Sequence, residues 1–190
     1  TCPAGATQTV TVADGQTAEA VDFGTRALIP SIDVGHHVLL PDTPNQVIEI
    51  YVYGGQPVQG LNFNIQIGDG GAAAGGADVG PSIQNVDILT GTIFAGNNNG
   101  QSDLDGEGAS DQVPMFEGRT TTTVSGTVIA SGLLATVTID TTGFFDRETW
   151  QLIISDTLNG PTDFTVVGAN LTDGTITINL APEVGSLLAA

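Results

Sequence analysis

Apolar and polar residues alternate strictly through Leu61-Asn-Phe-Asn-Ile-Gln-Ile67. A period of two sends Leu61, Phe63, Ile65 and Ile67 to one face of a strand and Asn62, Asn64 and Gln66 to the other. One face is then buried and the other wet. Residues 47–53, Val-Ile-Glu-Ile-Tyr-Val-Tyr, form a second β-rich run, and residues 54–60 between the two are rich in turn formers. The two runs are expected to be adjacent antiparallel strands.

The same reading continues along the chain. Residues 7–12, 34–40, 83–89, 92–95, 150–155, 164–167 and 175–180 read as further short strands. Residues 121–130 and 133–139 read as a hairpin across Ser131-Gly132. Residues 68–80 are nearly all Gly and Ala and are expected to be a flexible loop, and residues 96–118 a polar one. The phrase Gly-Thr-Ile or Gly-Thr-Val recurs at 91–93, 126–128 and 174–176, which we take as turn chemistry. No long segment carries an apolar period of 3.6. The pattern predicts an all-β chain, an antiparallel β-sandwich of about ten strands. Residues 1–40 read as an N-terminal extension with one or two strands, placed to dock on a neighbour. Residues 41–180 read as the sandwich and 181–190 as a tail.

Composition narrows the habitat. The chain has 190 residues, 40% of them hydrophobic, enough for one domain with a substantial core. It has 21 acids against three bases, Arg26, Arg119 and Arg147, for a net charge of −18. Binding to nucleic acid by counterion release needs many cations, so that class is excluded, and anionic membranes would repel the chain. No apolar run is long enough for a membrane span. The acidity fits a salty or extracellular setting, or carboxylates that hold divalent cations. Cys2 is the sole cysteine, so there is no internal disulfide. The chain begins with Thr1 rather than Met, so an exported form with its signal peptide removed is expected.

Three stretches resemble the cohesins, the jelly-roll modules that hold dockerins in cellulosomes. Residues 47–53 followed by Val58-Gln-Gly-Leu-Asn-Phe-Asn-Ile65 are similar to the opening strands of that family. Residues 82–94, Ser-Ile-Gln-Asn-Val-Asp-Ile-Leu-Thr-Gly-Thr-Ile-Phe, resemble its next segment, and residues 132–139 its central strand after a glycine. The resemblance implies a cohesin-like jelly-roll sandwich without catalytic activity. It leaves residues 1–40 and the 68–80 loop without counterparts. The end of the chain, Ala-Pro-Glu-Val-Gly-Ser from 181, resembles the start of a sorting tail on exported proteins.

Candidate chemistry is sparse. Asp103, Asp105 and Glu107 fall at alternating positions and Asp111 four residues on, with Gly106 and Gly108 between them. Such spacing offers hard oxygen ligands and suits Ca²⁺. The start imitates an EF-hand loop, but Pro114 stands where the bidentate Glu belongs. His36 and His37 are neighbours on a strand and point to opposite faces, so they do not share a metal. Asp140, Asp146 and Glu148 could serve a glycosidase only as a pair facing each other across a cleft. Tyr51, Tyr53 and Trp150 could stack on sugars, or could be strand aromatics of the core. Asn170-Leu-Thr172 is a glycosylation sequon. No nucleophile elbow, zinc motif or phosphate loop is present.

Two functions are therefore expected, both non-enzymatic and extracellular. The first is a self-assembling subunit of a fibre, sheath or surface layer, in which residues 8–12 add a strand to a neighbour and Ca²⁺ bridges acidic contacts. The alternative is a module that binds carbohydrate or a dockerin-like partner.

Overall fold

The computed structural model describes residues 10–11, 17–18, 29–104, 114–145, 147–154 and 162–179. In chain order the strands are β1 (Val10–Thr11), β2 (Thr17–Ala18), β3 (Ser31–Asp33), β4 (His36–Leu39), β5 (Gln46–Tyr53), β6 (Pro57–Val58), β7 (Gly60–Ile67) and β8 (Ser82–Asp87). There follow β9 (Gln101–Asp103), β10 (Phe116–Thr122), β11 (Val128–Ile129), β12 (Gly132–Asp140), β13 (Thr149–Ile153), β14 (Asp163–Phe164), β15 (Asn170–Thr172) and β16 (Gly174–Ile178). One short 3₁₀ turn spans Ala72–Ala74. The all-β sandwich expected from the pattern is present.

Two sheets form the layers. One runs β15-β3-β5-β12-β8; the other runs β4-β16-β13-β7-β10-β9, with β14 also pairing β7. Ile32, Ile48, Ile50, Val52, Val86, Val137 and Ile139 point inward from the first sheet. Leu61, Phe63, Ile65, Ile67, Leu152 and Ile176 meet them from the second. Each such side chain, removed from water, contributes about 1.5–3 kcal/mol. The pairing is antiparallel except at the seam where β3 runs parallel to β15 and β4 parallel to β16. The two chain segments of this seam change sheets together, at Val34-Gly35 and at Asp173-Gly174. Thus β3 and β4, in the segment set apart as an extension, are built into the two sheets.

The runs at 47–53 and 61–67 are not paired, contrary to expectation. β5 pairs β12 and β3, whereas β7 pairs β10 in the opposite sheet. Alternation specifies an inward face but no neighbour, and these two inward faces meet across the core. The connector between them crosses from sheet to sheet, with Gly54 and Gly55 at positive φ. The hairpin expected at 121–139 is likewise split. β10 belongs to one sheet, β12 to the other, and β11 pairs β6 between them. Residues 92–95 form turns rather than a strand, with the Thr92 hydroxyl donating to the Ile88 carbonyl at 2.7 Å. The polar stretch 96–118 contains β9 and the start of β10.

The Asn/Gln face of β7 is not wet. Asn64 is fully buried and Gln66 is 7% exposed. The Thr162 hydroxyl beside β7 accepts from the Asn64 backbone N–H (2.8 Å) and donates to the Asn64 carbonyl (3.1 Å). Gln66 Nε2 donates to the Gly68 carbonyl at 2.9 Å.

The 68–80 loop, expected to be flexible, is built around one carboxylate. Asp69 accepts backbone N–H groups of Gly71, Ala77 and Asp78, and Asp78 accepts the N–H of Asp69. These bonds, led by the one from Ala77, hold the Asp69 carboxyl below its ordinary value. A Cβ on Gly76 would overlap the Asp69 carboxylate, and one on Gly68 would overlap that of Asp78. The glycines of this loop give the carboxylates room to reach the backbone.

Candidate functional site

The outer faces of the two sheets reverse what their sequences suggest. The polar outer face of β7 is covered, whereas the outer face of β5 carries Val47, Glu49, Tyr51 and Tyr53 and stays open. Val47 and Tyr53 are each 57% exposed and Tyr51 38%. Cross-strand register sets what surrounds them. Tyr51 lies between Leu133 and Asp33, Tyr53 beside Ser31, Glu49 opposite Thr136, and Val47 opposite Thr138. Asp87 extends the Glu49 row and Asn85 the Val47 row onto β8. The result is an open surface on which Val47, Tyr51, Tyr53 and Leu133 are interspersed with four carboxylates, Asp33, Glu49, Asp87 and Asp140.

Those carboxylates are held in place. Asp33 Oδ1 accepts the Gly35 N–H at 2.9 Å, Asp87 Oδ1 the Leu89 N–H at 2.8 Å, and Asp140 Oδ1 the Thr142 N–H at 2.8 Å. The Asp140 carboxyl is lowered by its bonds from Thr142. The Tyr51 hydroxyl donates to Glu49 Oε2 at 2.7 Å, and this bond together with the carboxylate charge raises the Tyr51 pKa. Tyr51 is thereby fixed as a neutral, oriented donor.

The residues singled out in the sequence are dispersed. Trp150 belongs to the other sheet and is 8% exposed; its Nε1 donates to the Val79 carbonyl at 3.1 Å, and its ring meets Phe144 edge-on at 5.6 Å. Of the three aromatics, only the two tyrosines share a surface. His36 is exposed with Nδ1 2.9 Å from the Thr175 hydroxyl, whereas His37 Nε2 donates to the Val34 carbonyl at 2.6 Å. The register puts them on opposite faces, as expected. Asp140 ends β12 in one sheet and Glu148 precedes β13 in the other; Asp146 lies outside the described residues.

Of the calcium candidates, Asp103 ends β9, with its carboxylate 3.8 Å from Arg119 Nη1. Arg119 also contacts Glu117 at 2.5 Å. Register sets Arg119 and Glu117 opposite Phe63 and Ile65, on the core side of the sheet. Asp105, Glu107 and Asp111 lie outside the described residues. Among the described residues no three His, Cys, Asp or Glu side chains gather as a metal site. No described helix is long and apolar enough to cross a membrane.

The sequence offers Tyr51 and Tyr53 of this face as a stacking surface but does not join Val47 and Glu49 to them as one open face. A signal was present: in residues 47–53 the outward positions are themselves apolar or aromatic, so burying Ile48, Ile50 and Val52 leaves a second apolar face unaccounted for.

No protein-family model matches the chain, and no curated protein matches it. Solved structures do. The seventh ScaB type I cohesin from Pseudobacteroides cellulosolvens aligns with a TM-score of 0.55 at 15% identity, over 82% of this chain and 96% of its own. A type III cohesin module from the cell-surface anchoring scaffoldin ScaE of Ruminococcus flavefaciens aligns with a TM-score of 0.54 at 10% identity, over 84% and 92%. The third ScaB cohesin of R. flavefaciens, solved in complex with a group 1 dockerin, aligns with a TM-score of 0.53 at 8% identity, over 82% and 99%. The fold is cohesin-like.

Proposed function

We propose that the chain is a non-catalytic binding module of the cell exterior, and that it holds a partner protein against the open face of its five-stranded sheet. The observation that carries this reading is the exposure of Tyr51 and Tyr53 next to each other on the outer face of β5, with Val47 further along that face beyond Glu49. Tyrosines on a preformed surface lose little entropy when covered, and a central aromatic patch with a polar rim is the anatomy of a protein interface. Charge narrows the partner. Asp33, Glu49, Asp87 and Asp140 favour a surface with Arg or Lys around an apolar centre.

A second copy would bring like charge to the same face, at a net −18 per chain. The strand-donor route to self-assembly has its own constraint, because the backbone of Val10–Thr11 pairs with Thr17–Ala18 of the same chain. One structural neighbour is held in complex with a group 1 dockerin, and another comes from a cell-surface anchoring scaffoldin. These support a dockerin-like partner and an exterior location ahead of the homopolymer.

The test immobilises the protein and presents it with the exterior proteins of its own cells and with a panel of dockerin modules. One partner is expected at fixed stoichiometry. The Tyr51→Ser/Tyr53→Ser double variant should weaken it at least about tenfold, as loss of two central aromatics does. The Thr149→Ala/Gln151→Ala variant on the opposite sheet should not. Loss of binding only in the second variant moves the site to the other sheet. Concentration-dependent growth of the pure protein in light scattering, with no partner retained, returns the reading to self-assembly.

A further inference from the structure

We propose that Asn170 carries an N-linked glycan, and that this glycan closes the outer edge of the five-stranded sheet. The inference rests on the exterior location proposed above. Asn170-Leu171-Thr172 is the only Asn-x-Ser/Thr triplet in the chain. It coincides with β15, and all three residues are exposed. β15 is the last strand of its sheet and pairs only β3 among the described residues. The Asn170 N–H donates to the Pro30 carbonyl at 2.8 Å, and the Thr172 carbonyl accepts from Val34 at 3.2 Å. The side-chain amide of Asn170 and the hydroxyl of Thr172 make no hydrogen bond among the described residues. Register with Ser31 and Asp33 puts both on the outer side of the sheet, with Ser31 between Asn170 and Tyr53, so the glycan stands at the border of the face proposed for the partner and leaves its β5–β12–β8 side open.

The edge itself supplies the physical motive. An unpaired strand edge is a template for adding another chain, and proteins blunt such edges with charge, Pro, bulges or a covering segment. Two other edges of this sandwich are blunted. At β8 the Ile83 N–H reaches the Pro114 carbonyl and the Ile88 N–H reaches Gln101 Oε1. Past β4 the Gln46 amide clamps both the N–H and the carbonyl of Leu40. β15 is guarded only by its length of three residues; among the described residues no side chain or segment caps it, and Asn-Leu-Thr carries no charge. A hydrated glycan at its first residue adds the cap.

The chemistry is a glycosyl transfer from a polyprenol-linked sugar phosphate or diphosphate, catalysed by a separate transferase. The Asn170 amide nitrogen bonds to C1 of the donor sugar, and the C1–O bond to phosphate breaks. The lipid phosphate leaves with the electron pair, and the amide proton passes to a base of the transferase. No oxidant or reductant is involved.

The protein is recovered from the exterior and interior fractions of its native cells, digested at Asp and Glu, and weighed. The Asn170 peptide is expected to carry sugar mass increments. Whole-protein mass should fall to the sequence mass in Asn170→Gln and in Thr172→Ala, and stay raised in Thr172→Ser. Both variants should keep the wild-type circular dichroism and melting temperature, because neither side chain is bonded. The unglycosylated variants should self-associate in light scattering where the wild type does not. Bare Asn170 in protein recovered from the exterior overturns the modification alone. Protein retained inside the cell with bare Asn170 overturns the location as well. A glycosylated chain whose Asn170→Gln variant stays monodisperse overturns the edge-closing role.

Discussion

Gly174 lies directly against the carbonyl of Gly35: a methyl group built on Gly174 would overlap that oxygen and crowd the Gly35 nitrogen. The contact sits where the parallel segments change sheets together. There the Val34 N–H donates to the Thr172 carbonyl, and the Thr175 N–H to the Gly35 carbonyl at 3.1 Å. Gly174 is not needed for a left-handed turn; it is needed because two backbones touch.

Gly174→Ala should therefore destabilise the sandwich by roughly 3 kcal/mol or more, since the obstacle is backbone that cannot rotate away. Gly143→Ala is the control. That glycine has open space around it but a φ of 87°, so the strain should cost only about 1 kcal/mol. Urea unfolding of the two variants measures both. Equal losses would mean that conformation, not contact, governs Gly174.

Asp69 sets an acid limit on the 68–80 loop. Its folded pKa is lowered, first by the N–H of Ala77 and then by that of Gly71. A lowered carboxyl contributes stability that is full above the unfolded value and is lost as pH falls through the folded one. Protection of the Ala77 and Asp78 amides, taken relative to their intrinsic exchange rates, should accordingly be high at neutral pH and fall below about pH 4, the ordinary range of a free Asp. Asp69→Ala should lower that protection at neutral pH and flatten its pH dependence. Protection that persists in that variant would show that another element holds the loop.

How much of this was legible depended on what each residue type can specify. The alternation at 61–67 identified Leu61, Phe63, Ile65 and Ile67 as inward, and all four are fully buried. Period two names a face, but neither the strand alongside nor the layer above, so it cannot put β12 rather than β7 beside β5 or bury Asn64 and Gln66. Composition marks the Gly/Ala run as flexible, whereas its order comes from Asp69 and Asp78, two carboxylates spaced so that each binds the backbone of the other's segment. Of the open face of β5, Tyr51 and Tyr53 are legible as a stacking platform; Trp150, grouped with them by residue type, packs in the other sheet, and Val47 and Glu49 carry no such residue-type signal to join them to the tyrosines. For the calcium candidates only Asp103 can be placed.

Arg119 should prove the most costly charge to remove. Its side chain is 17% exposed and that of Glu117 5%, and they stand opposite Phe63 and Ile65. Arg119→Met would take the cation away from the buried Glu117 carboxylate, at a cost of up to about 3–5 kcal/mol for a buried pair broken on one side. Asp103→Asn, at 3.8 Å and nearer solvent, should cost about 0–1 kcal/mol. Denaturant midpoints at pH 7 give both values. Binding of Ca²⁺ by Asp103, Asp105, Glu107 and Asp111 stands as a separate proposal. Calorimetric titration with Ca²⁺ tests it, with weaker binding expected in Asp103→Asn; no heat in the wild type would reject it.

Thr162 offers the sharpest test of the covered face of β7. It is 2% exposed, and its single hydroxyl serves both backbone groups of Asn64. Those groups sit where β14 and β13 divide the edge of β7 between them, at Asn62 and Gln66. Thr162→Val preserves shape and removes the hydroxyl, leaving a buried N–H and carbonyl to lose their partner, which costs about 1–3 kcal/mol. Thr162→Ser keeps the hydroxyl and gives up one methyl, about 1 kcal/mol. The order wild type, Ser, Val in melting temperature is expected, with faster amide exchange at Asn64 in the Val variant alone. If Val proves as stable as wild type, the hydroxyl is not what seals this face, and burial of Asn64 must be credited to packing.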